Sequence, residues 1–151
     1  MKLSLENKKR HFCSTAFIID NDRILLVNHK KQKMWLPIGG HIEENETPDQ
    51  AVEREVKEET GLDIEIIGEK YPEFDTAEIL NRPFLVALQH IDDEHQHIDL
   101  QYICRIKGNK KLGWTEECRW FTEDELDDLE KCPLEIKHFA KEAIRTVKDL
   151  K

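Results

Sequence analysis

Hydrophobic and β-branched residues come in two short blocks near the start of the chain. The first, "HFCSTAFIID", spans residues 11–20, and the second, "ILLVNH", spans residues 24–29. Blocks of this composition predict two β-strands, and the intervening "NDR" predicts a tight turn between them. The next stretch, "KKQKMWLPIGGH" at residues 30–41, predicts a loop, because it carries a proline and a pair of glycines.

A helix is predicted over residues 48–60. Thr47 can cap its first turn, Pro48 suits the first helical position, and Gln50 completes a capping box. Gly61 is well suited to end the helix, because glycine readily adopts the left-handed conformation found at helix C-termini.

Strands and helices alternate through the rest of the chain. Four further segments predict strands: "DIEIIGEKY" at residues 63–71, "PFLVALQHI" at 83–91, "IDLQYICRI" at 98–106 and "CRWF" at 118–121. Thr122 and Glu125 form a second capping box, and apolar residues at helical spacing predict a last helix over residues 133–151. This interleaving predicts an α/β domain in which helices cover a mixed β-sheet.

The segment at residues 98–106 has the clearest strand pattern. Its apolar residues alternate onto one face, which predicts a strand that is buried on one side only. These residues are Ile98, Leu100, Tyr102, Cys104 and Ile106. Cys104 is therefore expected to be an inert core residue.

The composition fits one globular domain spanning residues 1–151. Hydrophobic residues make up 38% and charged residues 36% of the chain, and no apolar run approaches the roughly 18 residues of a membrane helix. The N-terminus lacks the apolar core of a signal peptide. The four cysteines include no C-x-x-C pair, which is typical of a reducing compartment. We therefore expect a cytoplasmic protein that does not bind membranes.

The negative net charge disfavours nucleic acids as ligands. The chain carries −9 at pH 7 and shows no basic stripe, which argues against nucleic-acid binding. A phosphorylated small molecule would need a divalent cation to offset its charge. The sequence does not decide between a monomer and a homodimer.

Carboxylates are concentrated in the predicted helix, with four acids among residues 53–59. Glu55, Glu58 and Glu59 share one face at helical spacing. A run of glutamates is most often a solvated helix face. The alternative is a cation site, because two charges about 6 Å apart repel by roughly 3 kcal/mol at an effective dielectric of about 20. Oxygen ligands favour Mg²⁺, Mn²⁺ or Ca²⁺ over zinc.

The segment at residues 40–62, "GHIEENETPDQAVEREVKEETGL", resembles the Nudix box, G-x5-E-x7-R-E-U-x-E-E-x-G-U, in which U is a bulky aliphatic residue. All nine specified positions are filled, by Gly40, Glu46, Arg54, Glu55, Val56, Glu58, Glu59, Gly61 and Leu62. The strands on either side and the "WLP" before the glycines extend the resemblance across most of the chain. One departure is Ile38, which stands between the proline and the glycine pair.

The resemblance to Nudix hydrolases implies an α/β/α sandwich and a hydrolytic activity. It implies that Glu55, Glu58 and Glu59 hold Mg²⁺, for which Mn²⁺ is a possible substitute, with a backbone carbonyl from Gly40. The family cleaves a nucleoside diphosphate linked to another group, by attack of water on phosphorus. A nucleoside triphosphate or similar small nucleotide is the expected substrate, with an oxidised deoxynucleotide as one option.

The catalytic residues implied by the resemblance are Arg54, Glu55 and Glu58. Arg54 would orient Glu55 or Glu58 through charged hydrogen bonds, while Glu46 is expected to play a supporting role. Glu55 is the first choice for the general base. The alternatives are three acids outside the box, which could equally be solvated loop residues: Glu94, Glu116 and Glu117. Glu117 could simply pair with Arg119.

Residues outside the box supply candidates for substrate binding. Trp35 could stack on a base or belong to the core, and the sequence does not decide between them. Gly39 allows close approach of backbone to a ligand, while Arg82 and Phe84 are weaker candidates for phosphate and base. Trp114 and Trp120 are expected to pack.

Three histidines, His90, His95 and His97, occur among acids. They match no strong zinc pattern, so we expect a polar hairpin tip that borders the pocket.

The rival to an enzyme is a non-catalytic Nudix domain that senses or binds a nucleotide. A degraded box would favour this rival. The box is intact in this sequence, which favours catalysis.

Overall fold

The computed structural model describes residues 8–113 and 117–150, so Trp114 and Glu116 lie outside the described residues. Eight strands form one mixed sheet. The strands are β1 (Lys9–Asp20), β2 (Arg23–His29), β3 (Met34–Leu36), β4 (Ile38–His41), β5 (Ile64–Ile66), β6 (Leu85–His90), β7 (His95–Ile106) and β8 (Cys118–Thr122). The helices are α1 (Pro48–Thr60), α2 (Glu123–Asp128) and α3 (Leu134–Asp149).

Strand β1 organises the sheet. It runs parallel to β7 over ten residue pairs, from Lys9 opposite His95 to Ile18 opposite Cys104. Its other partners, β2 and β4, are antiparallel to it. The β1–β7 pairing joins residues more than 80 positions apart, and it places the middle of both strands inside the molecule.

Helices pack on both faces of the sheet, which confirms the predicted α/β/α sandwich. On one face, Val52 and Val56 of α1 lie in a core with Ala16 and Ile18 of β1. On the other face, α3 packs against alternate residues of β1 such as Phe17. Because strand side chains alternate between faces, the two cores share the same strands without sharing residues.

Helix α1 begins and ends where the sequence predicts. The Thr47 side chain accepts a hydrogen bond from the Gln50 backbone N–H, and the Gln50 side chain accepts one from the Thr47 backbone N–H. Gly61 adopts φ 75°, in the left-handed region. The capping box at Thr122 is also formed.

The predicted loop at residues 30–41 instead contains two short strands, β3 and β4. Strand β3 pairs with β2, and β4 pairs with β1. A side chain would not fit at Gly39 in β4, because the neighbouring backbone of β1 comes too close. A Cβ on Gly39 would lie 2.4 Å from the Ser14 carbonyl oxygen.

Two other strand predictions need correction. The segment at residues 63–71 is a strand only over Ile64–Ile66, and residues 67–84, which include Pro72 and Pro83, form neither helix nor strand. Strand β7 is buried on both faces at its centre, because Gln101 and Ile103 are buried as well as Tyr102. Its predicted one-sided burial is therefore wrong.

Within the described residues, no helix is both long enough and apolar enough to cross a membrane. Cys104 is fully buried, as expected for a core residue. Trp120 packs at the edge of the α1-side core, also as expected.

Candidate functional site

Arg54 of α1 stands at the centre of a network of carboxylates. Its Nε and Nη2 donate to the two carboxylate oxygens of Glu46 at 2.7 and 3.0 Å. Its Nη1 donates to Glu55 Oε1 at 3.0 Å and to Glu58 Oε2 at 3.3 Å. The backbone carbonyl of His41 accepts a further bond from Nη2 at 3.0 Å. Arg54 therefore ties the helix to the chain segment that precedes it.

Arg54 and Glu46 each stabilise the charged form of the other. Hydrogen bonding to Glu46 raises the pKa of Arg54, and the same bond lowers the pKa of Glu46. The forked, two-bond contact fixes the guanidinium plane across the eight positions that separate Glu46 from Arg54. The contact agrees with the supporting role expected for Glu46, which stays a prediction.

Glu55 lies against Gly40, which belongs to β4. A Cβ at Gly40 would meet Glu55 Oε1 at 2.3 Å, so only glycine leaves space for the carboxylate there. Glu55 is 15% exposed, whereas Glu58 is 59% exposed. The arrangement presents one sheltered and one accessible carboxylate beside the Gly40 backbone, and these oxygen donors fit a hard divalent cation.

The predicted metal ligands are only partly brought together. Glu55 and Glu58 share the Nη1 atom of Arg54, and Glu59 lies half-buried on the same helix. Over residues 8–113 and 117–150, the group of three whose ligand atoms all lie within 4.8 Å of one another is a different one, formed by Cys13, His41 and His97. The assignment of the glutamates to a metal stays a prediction.

A cavity of about 690 Å³ lies on the opposite, α3-facing side of the sheet, a size typical of small-molecule sites. Gly39 and Gly40 contribute to its wall. The apolar part of the lining comes from β3, β6 and α3, and includes Leu36, Leu85, Ile136 and Phe139. The glycine pair therefore joins the carboxylate network to the cavity.

The polar floor of the cavity is formed by β1 and β7. Asp99, which is 3% exposed, accepts hydrogen bonds from Thr15 Oγ1 at 2.8 Å and from Gln101 Nε2 at 3.0 Å. Gln89 of β6 also hydrogen-bonds to Asp99. Burial raises the pKa of Asp99, although these three hydrogen bonds oppose the shift.

Histidines form one rim of the cavity. The Nε2 atoms of His41 and His97 lie 3.2 Å apart, and His11 stacks on His41 with ring centroids 5.1 Å apart. Burial lowers the pKa of His97, helped by the neighbouring histidines. Cys13 lies beneath them, and burial raises the pKa of its thiol to about 12.

The predicted histidine-rich hairpin is present between β6 and β7. His90 and His97 line the cavity, which confirms that the hairpin borders the pocket. His95 instead pairs with Asp92 at 2.9 Å.

The predicted substrate residues differ in position. Gly39 lines the cavity. Trp35 is 9% exposed and packs edge-on against Phe121, with centroids 5.2 Å apart, which favours the core interpretation over base stacking. Phe84 packs edge-on between Phe17 and Phe139, in the α3-side core. The exposed Arg82 lies over the ring of Tyr71.

Two of the three alternative bases lie within the described residues, and neither contacts Arg54. Glu117 pairs with Arg119 at 3.1 Å, as the sequence suggested, and also accepts from Asn28 at 3.1 Å. Glu94 lies in the exposed turn between β6 and β7. Glu116 is outside the described residues.

Sequence reasoning missed the polar floor of the cavity. Asp99 and Gln101 occupy the alternate positions of β7 that the pattern assigned to solvent. The available signal was Thr15, a polar residue directly before the apolar run at residues 16–19, but its partner Asp99 is 84 positions away. The sequence alone does not predict this contact, because it depends on the pairing register of β1 with β7.

Comparison with known proteins settles the family. The family description "NUDIX domain" matches residues 9–144. The chain belongs to the Nudix hydrolase family. This membership confirms the predicted fold and the predicted enzyme class, a Nudix-type pyrophosphohydrolase.

Three relatives illustrate the match. A solved structure of a NUDIX-family hydrolase from Clostridium perfringens superposes with a TM-score of 0.80 at 30% identity, over 92% of this chain and 99% of that one. The "Probable DHNTP pyrophosphohydrolase" of Lactococcus lactis subsp. cremoris is 26% identical over 88% of this chain and 73% of its own length. The "NAD-capped RNA hydrolase NudC" of Vibrio atlanticus is 43% identical, but over only 34% of this chain and 20% of its own length.

Proposed function

We propose that this Nudix hydrolase uses Mg²⁺ to hydrolyse the diphosphate linkage of a nucleoside triphosphate or similar small nucleotide, by attack of water on phosphorus. The observation that carries the proposal is the network in which Arg54 is fixed by Glu46 and engages Glu55 and Glu58. A structural ion pair would need only one carboxylate for one guanidinium. Here one arginine hydrogen-bonds to three carboxylates, beside a glycine that leaves space for Glu55.

Glu55, Glu58 and Glu59 would hold the metal, together with the Gly40 carbonyl. When bound, Mg²⁺ would offset phosphate charge and lower the pKa of a coordinated water. Mn²⁺ has similar ligand preferences and should substitute.

Arg54 and Glu46 position the other carboxylates. The two-bond contact with Glu46 fixes the guanidinium plane, and the remaining Nη1 hydrogens then set the orientation of Glu55 and Glu58. Glu55 is our choice for the general base. Its sheltered carboxylate could accept a proton from the attacking water, while Glu58 supplies charge at the more exposed side.

The cavity on the α3 side would hold the base of the nucleotide. Its floor offers the Asp99 carboxylate, which favours a base that presents N–H donors, and the amides of Gln89 and Gln101 can adapt to either donors or acceptors. The apolar wall formed by Leu85 and Phe139 would cover the ring faces. Gly39, between cavity and network, would let the phosphates pass close to the backbone.

We further propose that residues 1–151 form a single Nudix hydrolase domain and that the protein acts in the cytoplasm. The acidic balance supports a small-molecule substrate over a nucleic acid. A homodimer is compatible with this function but is not required for it.

A substrate panel tests the proposed function. The protein should be incubated with Mg²⁺ and the common and oxidised deoxynucleoside triphosphates, with DHNTP, and with NAD and ADP-ribose, and the products separated by chromatography. The proposal expects a triphosphate to be the best substrate, with turnover lost in excess EDTA and restored by Mg²⁺ or Mn²⁺. Full activity in EDTA, or a preference for NAD or ADP-ribose, would contradict it.

A further inference from the structure

We propose that Cys13, His41 and His97 form a second metal site, for Zn²⁺ or a similar borderline-soft divalent cation, at the rim of the cavity. This site is separate from the glutamates of α1. It uses no residue of the Nudix box beyond the position that follows Gly40.

The sheet register brings the three side chains together. Cys13 of β1 is directly opposite His41 of β4, and His11, two residues before Cys13 on the same face, is opposite His97 of β7. Opposed residues project to the same side of a sheet. Three strands that are distant in sequence therefore supply one ligand each, on rigid elements that need little rearrangement.

The distances suit a tetrahedral ion. With zinc–nitrogen bonds of about 2.0–2.1 Å and a zinc–sulfur bond of about 2.3 Å, tetrahedral ligands lie roughly 3.3 Å apart for two nitrogens and roughly 3.6 Å for nitrogen and sulfur. The His41 and His97 Nε2 atoms are already 3.2 Å apart. All three ligand atoms lie within 4.8 Å of one another, so small side-chain rotations complete the site.

The ligand types separate this site from the magnesium site. Thiolate and imidazole bind zinc and its neighbours well, whereas Mg²⁺ prefers oxygen. A coordinating cation displaces the thiol proton, so the buried thiol of Cys13 can still serve. The two sites can then be filled by different ions in the same molecule.

The geometry also indicates what such an ion would face. Cys13, His41 and His97 all line the cavity. Three protein ligands leave a fourth position for water or another molecule, as in catalytic zinc sites. The open position would point into the space that we assign to the nucleotide, so a bound ion would compete with or contact the substrate there.

Cobalt(II) binding tests the site without reference to hydrolysis, because Co²⁺ accepts tetrahedral zinc sites and its thiolate complexes absorb in the near ultraviolet. Titrations should be run with excess Mg²⁺ to occupy the carboxylates. We expect one equivalent of Co²⁺ to bind with a sulfur-to-cobalt band. The band should disappear in Cys13→Ser, and binding should weaken by at least about tenfold in His41→Ala.

Matched controls make the outcome decisive. Cys132→Ser and His138→Ala remove a cysteine and a histidine outside the site and should bind cobalt as wild type does. His41 is exposed, so His41→Ala should fold even if Cys13→Ser does not, and thermal melts would check both. A wild-type protein without the sulfur band, a band that survives in Cys13→Ser, or unchanged affinity in His41→Ala would overturn the proposal. None of these results depends on whether the proposed hydrolase activity is correct.

Discussion

The two faces of the sheet around β1 and β4 carry different kinds of chemistry. On the α1 face, formal charges crowd around Arg54, and two of its carboxylate partners, Glu55 and Glu46, are mostly sheltered from solvent. On the α3 face, the cavity floor holds one buried carboxylate, Asp99, among neutral hydrogen-bonding groups. Charge on the first face suits phosphate chemistry, and neutral polar groups on the second suit recognition of a base.

In the proposed function, catalysis and substrate selection belong to opposite faces of the sheet. The acids of the box lie close together in sequence, and Glu46, Glu55 and Glu58 do not line the cavity. The floor is assembled from β1, β6 and β7, whose pairing the fold provides. Substitutions on the two faces should therefore have separable effects, and the following experiments test that separation.

The largest effect is expected for Trp35→Ala, which tests whether this residue serves the fold or the substrate. Trp35 is buried against Phe121 and lies beneath Arg119. Truncation of a buried tryptophan should cost about 3–5 kcal/mol of unfolding free energy. The KM of the fraction that stays folded should be unchanged. Chemical denaturation gives the first quantity, and a raised KM with wild-type stability would instead favour base stacking.

Glu58→Gln should lower kcat by at least about 100-fold, in line with the loss of one electrostatic contact to the transition state. The fold should survive, because Glu58 is mostly exposed and α1 is held by buried valines. Glu53→Gln, an exposed acid of the same helix, is the matched control and should retain activity. Steady-state kinetics decide the matter, and near wild-type turnover in Glu58→Gln would remove this carboxylate from the site.

Gly40→Ala should lower kcat by roughly tenfold to 100-fold, because the new Cβ would displace the Glu55 carboxylate and small misplacements are costly. Gly68→Ala is the control, since its Cβ would meet only a side-chain oxygen of Asn81 at 3.3 Å. Equal activity of the two variants would show that the position of Glu55 is unimportant.

Asp99→Asn should leave stability at neutral pH no lower than in wild type. The folded-state pKa of Asp99 lies above its unfolded value, so the protonated carboxyl stabilises the fold below the unfolded pKa. That contribution is lost as pH rises through the folded pKa. The asparagine variant, which does not titrate, should lack this loss. Thermal melts at mildly acidic and neutral pH would show it, and a clear loss of stability at neutral pH would mark Asp99 as structural.

Local signals made α1 and the Arg54 network predictable. The capping box, the glycine stop and the box acids all lie within one short segment, so predicting them required no long-range strand pairing. Trp35 could not be assigned, because a tryptophan before the glycine pair suits either a core or a pocket. The cavity floor depends on parallel pairing between β1 and β7, and a polar residue in a strand looks the same whether it faces solvent or a buried cavity.

We propose that the α1 face performs the reaction and that the α3 face selects the substrate. The most direct test is kcat/KM for Glu58→Gln and Asp99→Asn over the whole nucleotide panel with Mg²⁺. We expect Glu58→Gln to lower kcat/KM by a similar factor for every substrate, and Asp99→Asn to change the order of preference among substrates. A ranking altered by Glu58→Gln and preserved by Asp99→Asn would contradict the proposal.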